Sequence, residues 1–182
     1  MHSIDSKVLA EIRSEVCDAV LKWTTILGVV AVVLSFLRAI EFGFLPVMTV
    51  HGALVTYLVG LYVLRKRAPY ALRAISIIGV MLLVAIGGHI TFGSPTRIEF
   101  FVAASIMTAV FFGERIGVFM AAASVAVVAA IYAGFASGAL PAPVPIPALS
   151  PTNWIANGAS MVVATMAPLL AVNRYRVHLN NE

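Results

Sequence analysis

Two histidines stand inside runs that are otherwise apolar, small or hydroxylated. His51 lies in Thr49-Val-His-Gly-Ala-Leu-Val-Thr-Tyr-Leu-Val-Gly60 and His89 in Ile86-Gly-Gly-His-Ile-Thr91, among apolar, small and hydroxylated neighbours. An imidazole titrates near neutral pH, donates and accepts hydrogen bonds, and ligates metals and haem iron. The pair therefore admits three kinds of chemistry: a polar anchor in a ligand pocket, a metal or bis-histidine haem centre, or a ring satisfied by a neighbouring carbonyl or hydroxyl. No HxxxH, CxxC or ExxH run occurs, so a metal or haem site would have to be assembled across helices from His51 and His89. No serine or cysteine is paired with a base in a recognisable pattern, and no phosphate-binding glycine loop is present. The chain itself thus offers no catalytic residue and reads as non-enzymatic.

The elements that must position these rings follow from composition. Hydrophobic residues make up 61% of the 182 and charged residues 11%, and mean hydropathy is +1.00, whereas a soluble domain is about a quarter charged. The solvent is a bilayer. Runs long enough to cross it, about 20 residues each, fall at 23–41, 45–64, 70–92, 97–113, 116–137 and 153–173. They are bounded by Glu-Phe-Gly-Phe at 41–44, Arg-Lys-Arg-Ala-Pro at 65–69, Gly-Ser-Pro-Thr at 93–96 and Gly-Glu-Arg at 113–115. The expected fold is all-α, a polytopic bundle of six transmembrane helices with short turns between antiparallel neighbours.

Residues 1–22 carry four carboxylates and three basic groups, which excludes a signal peptide. Val8, Leu9, Ile12, Val16 and Val20 recur at helical spacing, and the segment reads as an amphipathic helix on the cytoplasmic interface, with a solvated extension of the first span as the alternative. With the N-terminus inside, ten of the twelve basic residues are cytoplasmic, Arg73 among them, and Arg38 and Arg97 face out. Both termini are then cytoplasmic, and residues 174–182 begin a cytoplasmic linker. The net charge of +4 needs no nucleic-acid partner, because a positive-inside membrane protein is basic by construction. Cys17 reads as a small interfacial residue in a reducing compartment.

This topology puts His51 and His89 in the same outer third, at depths of about 10 and 5 Å. The first span brings Arg38 and Glu41 to that level, the fourth Arg97 and Glu99, and the sixth Asn153, Trp154 and Asn157. The middle and inner parts of the spans read as free of charge. Ionisable groups within spans usually face a bundle interior or a wet cavity, so the expected ligand-binding set is Arg38, Glu41, His51, His89, Glu99, Trp154 and Asn157, with His51 as polar anchor. The competing reading, in which the charged residues merely mark the interface, stays open.

Three further features bear on assembly and output. Ala122, Ala126, Ala130, Gly134 and Gly138 fall every fourth residue in the fifth span, a small-residue stripe suited to close packing within the chain or, alternatively, to a homodimer seam. The proline-rich connection 139–151 favours extended polyproline II, as a lid over the outer pocket or as a stiff spacer. Pro168 removes a backbone donor in the inner half of the sixth span and marks a hinge or an ordinary kink.

Five short segments carry a family resemblance. They are Gly43-Phe-Leu-Pro-Val-Met48, Arg65-Lys-Arg-Ala-Pro-Tyr70, Gly87-Gly88, Phe111-Phe-Gly-Glu-Arg-Ile-Gly117 and Ser150-Pro-Thr-Asn-Trp154. In this order and spacing, over about residues 20 to 175, the chain resembles the six-helix, MASE-like membrane input domains at the N-termini of bacterial sensor histidine kinases and diguanylate cyclases. The resemblance implies a multi-pass protein of the bacterial inner membrane, homodimeric, that hands a stimulus through its last helix to a cytoplasmic effector in cis. A histidine kinase of a two-component system is the first expectation and a cyclase the second. His51 matches a histidine of the second helix of this class; His89 has no such match. The expected function is a receptor for a small apolar or amphiphilic, or membrane-derived, signal. The alternatives are the substrate-binding subunit of an energy-coupling-factor transporter, for which Gly28, Ala31 and Ser35 would be the coupling face, and a haem- or metal-binding membrane protein.

Overall fold

The computed structural model describes residues 6–93, 98–141, 143, 164 and 168. The described residues form five α-helices, α1 (Ser6–Phe42), α2 (Pro46–Val63), α3 (Tyr70–Phe92), α4 (Ile98–Phe112) and α5 (Glu114–Ala136), and no strand occurs among them. Residues 164 and 168 are also helical. Each break has a local cause. Gly43, Gly93 and Gly113 hold φ of 76°, 62° and 102°, values that side chains with a Cβ rarely adopt. Pro46 opens α2, where its missing N–H is no loss, and Pro69 sits at the N-cap of α3.

Nothing of this kind interrupts residues 6–42, which contain no proline, and α1 accordingly passes position 22 without a break. Ile12, Val16 and Val20, the stripe anticipated on a membrane surface, are buried with Cys17 and Leu21 in the same core cluster as Ala74, Ile77 and Met81 of α3 and Met107 and Phe111 of α4. At 1.5 Å per residue α1 is about 55 Å long, well beyond a hydrocarbon core of about 30 Å. The expected separation of an interfacial helix from a first span is replaced by one continuous helix.

Four helices are long and apolar enough to cross a membrane: Ala10–Leu37 within α1, Pro46–Val63, Tyr70–Phe92 and Glu114–Ala136. α4, read from sequence as a span over 97–113, has 15 residues, or about 22 Å, and falls short by length. The stretch read as a sixth span lies outside the described residues except at 164 and 168. Large apolar side chains such as Val33, Ile40, Val63, Phe119 and Val125 are exposed on the outside of the bundle, as lipid-facing residues are. With no water to satisfy backbone groups in lipid, a spanning chain must pair them internally, and these helices do so within each segment.

α3 is the central element, packed on α1, α2, α4 and α5. In its spanning window 44% of residues are buried, against 17–22% in the other three. Short turns join α1 to α2 and α2 to α3, so these helices alternate in direction. The end of α1, the start of α2 and the end of α3 therefore share one end of the bundle, here the histidine end. Arg65, Lys66 and Arg67 in the α2–α3 turn and Arg115 at the start of α5 lie at the opposite, arginine end.

α5 meets the rest of the bundle through Gly117, Ser124 and Ile131, its buried residues at a seven-residue interval. A Cβ on Gly117 would stand 2.5 Å from the Cβ of Ala109 and 2.9 Å from its Cα, so the α4–α5 turn is closed by backbone approach. Ala122, Ala126 and Ala130 are exposed on the other side of the helix. For these three alanines the expectation that the stripe packs within the chain is thus corrected: at about 100° per residue, Ala122 and Ala126 each lie about 160° around the wheel from Ser124, and among the described residues the helix-packing seam is the other one, while Gly134 of the stripe meets Leu140.

Candidate functional site

His51 occupies the second turn of α2. Its ring is half-buried, and Nδ1 lies 3.5 Å from the Ser35 hydroxyl of α1. One heptad earlier on α1, a Cβ on Gly28 would meet Val55 Cγ2 at 3.2 Å. Gly28 and Ser35 therefore face α2, and the small face of α1 is used inside the chain.

His89 lies one turn before the end of α3 and is 2% exposed. Its Nδ1 is 3.1 Å from the Ala85 carbonyl. A carbonyl can only accept, so in the neutral ring Nδ1 carries the proton and Nε2 is left as a bare acceptor. That Nε2 is buried and has no hydrogen-bond partner among the described residues, a state that costs about 1–3 kcal/mol for a buried polar group. The ring packs edge-on against Phe101 of α4, with centroids 5.5 Å apart and planes at 71°. Gly93, the left-handed C-cap of α3, donates its N–H to the His89 carbonyl at 2.9 Å.

Glu99 stands in the first turn of α4, half-buried and two residues before Phe101, where the positive end of the helix dipole favours a carboxylate. Arg38 and Glu41 lie in the last turns of α1 at this same end. Arg97, Asn153, Trp154 and Asn157 lie outside the described residues. The structure thus gathers five of the sequence-derived positions at one end. The two imidazoles look to different neighbours, His51 to α1 and His89 to α4. Among the described residues no group of three or more His, Cys, Asp or Glu side chains could hold a metal ion. Pro168 is helical and half-buried, one turn after Ala164, which is buried in the core cluster.

Polar contacts at the arginine end escaped the sequence reading. Arg73, counted there as a cytoplasmic cation, is buried, pairs with Asp18 of α1, and donates through Nη2 to the Ser14 hydroxyl at 3.0 Å. The arginine end of a span therefore does carry a charge, and it is neutralised across α1 and α3. The signal was a lone arginine in the first turn of an apolar run, but a partner 55 residues away has no periodicity to betray it. Between α2 and α3, the Tyr57 and Ser76 hydroxyls share a hydrogen bond of 2.6 Å.

Four of the five resembling segments meet in pairs. Tyr70, which ends Arg65-Lys-Arg-Ala-Pro-Tyr70, donates its hydroxyl to the Phe111 carbonyl at 3.1 Å and packs edge-on against the Phe111 ring at 6.2 Å. At the other end a Cβ on Gly87 would contact Val47 Cγ2 at 3.6 Å, joining Gly87-Gly88 to Gly43-Phe-Leu-Pro-Val-Met48. The family model MASE11 matches residues 11–172, nearly the whole chain. The chain belongs to the MASE11 family. MASE domains are membrane-associated sensor domains of bacterial signalling proteins. The MASE11 match encloses His51, His89 and the Arg73–Asp18 pair, so both polar ends belong to the MASE11 domain. Comparison with curated proteins and with solved structures gives no match.

Proposed function

We propose that this MASE11 domain is the membrane-embedded input module of a bacterial signalling protein, a histidine kinase first and a diguanylate cyclase second, and that it binds a small amphiphilic ligand at the histidine end. The single observation that carries this reading is the bare, buried Nε2 of His89. An acceptor held away from water calls for a donor, so the ligand presents an O–H or N–H to His89 and an apolar body to Phe101 and its neighbours. His51, with its half-buried ring against Ser35, is a second polar contact, and Glu99, Arg38, Glu41, Trp154 and Asn157 complete the set. In this reading the histidine end faces the periplasm of the inner membrane. Ligand binding alters how the sixth helix, with Pro168 as its soft point, packs on the bundle of a homodimer, and the effector reads that change. A difference in affinity between two packings is all the mechanism requires.

Support for a sensor over a transport subunit comes from α1, whose Gly28 and Ser35 are occupied by α2 and leave no small coupling face there. The test is mass spectrometry of small molecules co-purified with the protein in lipid nanodiscs. A bound amphiphile is expected with the native chain, lost in His89→Leu and weakened in His51→Ala, with helicity unchanged. Retention in both variants refutes the site.

A further inference from the structure

From the contact between Gly93 and Pro143 we infer a strap over the histidine end: the first residues of the proline-rich connection close the end of α3 above His89, and access to the His89 imidazole requires their release. This concerns regulation of the site proposed above.

Both anchors of the strap are glycines that leave room for it. At the end of α5, Leu140 donates its N–H to the Gly134 carbonyl at 3.0 Å. A Cβ on Gly134 would stand 2.8 Å from Leu140 Cδ1. Three residues on, a Cβ on Gly93 would stand 2.5 Å from both Cβ and Cγ of Pro143. The chain therefore leaves α5, turns back on it through Gly138 with φ of 74°, and lays a proline ring against the C-cap of α3. That C-cap is bonded directly to His89 through the Gly93 N–H, and the ring of His89 begins one helical turn, about 5 Å, below it. Proline suits the role, since a ring with fixed φ loses little entropy on docking. Pro143 is itself exposed, and a closure at the surface opens more readily than the core.

Carbethoxylation by diethyl pyrocarbonate, which needs an unprotonated imidazole nitrogen, reads access to Nε2. The rate at His89 is followed by peptide mass spectrometry on the full chain in nanodiscs, with His51 as internal reference. Gly93→Ala drives a methyl into Pro143, whereas Gly43→Ala imposes a similar positive-φ strain at the same end with no atom within 4 Å of the new Cβ. Gly93→Ala is expected to raise the His89 rate about tenfold over Gly43→Ala, the factor equivalent to 1.4 kcal/mol of lost closure. Pro143→Gly, which removes the ring and leaves α3 untouched, is expected to do the same relative to the native chain. Equal His89 rates in Gly93→Ala and Gly43→Ala overturn the strap, as does a native rate in Pro143→Gly; if Gly93→Ala does not fold, Pro143→Gly decides alone. The protein is stripped of co-purified amphiphile by detergent exchange before reconstitution, so failure of this measurement leaves the ligand reading standing, and the loss of that reading leaves the strap.

Discussion

Gly117→Ala tests the α4–α5 seam. The new Cβ would stand 2.5 Å from Ala109 Cβ, 2.9 Å from Cα and 3.0 Å from the backbone nitrogen. Comfortable carbon contact is about 3.5–4.0 Å, so the deficit is about 1 Å, and because two of the three obstructing atoms are backbone no rotamer relieves it. α5 must retreat from α4. A gap of about 0.5–1 Å forfeits a quarter to a half of each dispersion contact, and overpacking of this kind costs about 1–3 kcal/mol. Alanine recovers up to about 1 kcal/mol through helix propensity. The net expectation is a loss of about 1–2 kcal/mol, or roughly 2–8 °C in Tm for a chain of this size. Gly60→Ala and Gly79→Ala are the matched controls, since both are helical and no atom lies within 4 Å of the new Cβ; they gain propensity without a collision. Thermal unfolding followed by circular dichroism in one detergent compares the three. If Gly117→Ala unfolds at or above the temperature of Gly60→Ala, the seam is not closed by backbone contact and the reasoning fails.

Asp18→Ala strands the Arg73 guanidinium, whose side chain is 8% exposed. Breaking a buried pair costs about 3–5 kcal/mol; the 39% exposure of Asp18 lowers the expectation to about 1–3 kcal/mol. A double-mutant cycle with Arg73→Met should return most of that loss, and additive effects would refute the coupling. Tyr70→Phe removes the hydroxyl that bonds the Phe111 carbonyl and should cost about 1 kcal/mol, read as a lowered Tm. Ala126→Leu places a large side chain on the exposed face of α5; it should leave the Tm of the monomer unchanged yet lower energy transfer between labelled copies in vesicles, and unchanged transfer would remove this stripe from the proposed dimer.

What the sequence made legible was whatever rests on local chemistry. Hydropathy located four spans, and the glycines at 43, 93 and 113 marked turns because a positive φ is a property of one residue and its neighbours. That His51 and His89 share an end followed from counting residues along two antiparallel runs, and both do lie at one end of the bundle. Contacts across the bundle were not legible. Arg73 and Asp18 each looked like an ordinary charge near a membrane surface, and only a packed α1–α3 pair turns them into partners. The fifth helix misled for a related reason. Its alanine stripe is conspicuous by composition, whereas the seam that packs, Gly117, Ser124 and Ile131, shares no side-chain type and is recognisable only by a seven-residue spacing. The change in composition at position 22 likewise suggested two elements, but composition does not end a helix; a breaker does, and none is present before Gly43.

The resembling segments illustrate how weak local signals gain meaning from the fold. Gly87-Gly88 or Phe111-Phe-Gly-Glu-Arg-Ile-Gly117 alone says little. In the structure, Gly87 makes room for Val47 at one end of the bundle while Tyr70 docks on Phe111 and Phe112 at the other. Each pair ties α3 to a different neighbour, α2 at the histidine end and α4 at the arginine end. α3 is thus held at both ends and buried along its length, which makes it a poor candidate for the element that moves. Motion within the bundle is left to elements held less firmly, such as the inferred strap, whose Pro143 meets the C-cap of α3 at Gly93, and Pro168, which cannot donate a backbone hydrogen bond to Ala164, marks a second soft point. On the proposed reading, a stimulus at His89 has a rigid floor in α3 and a yielding strap beside it, the arrangement in which a small change at the ligand shifts packing rather than being absorbed.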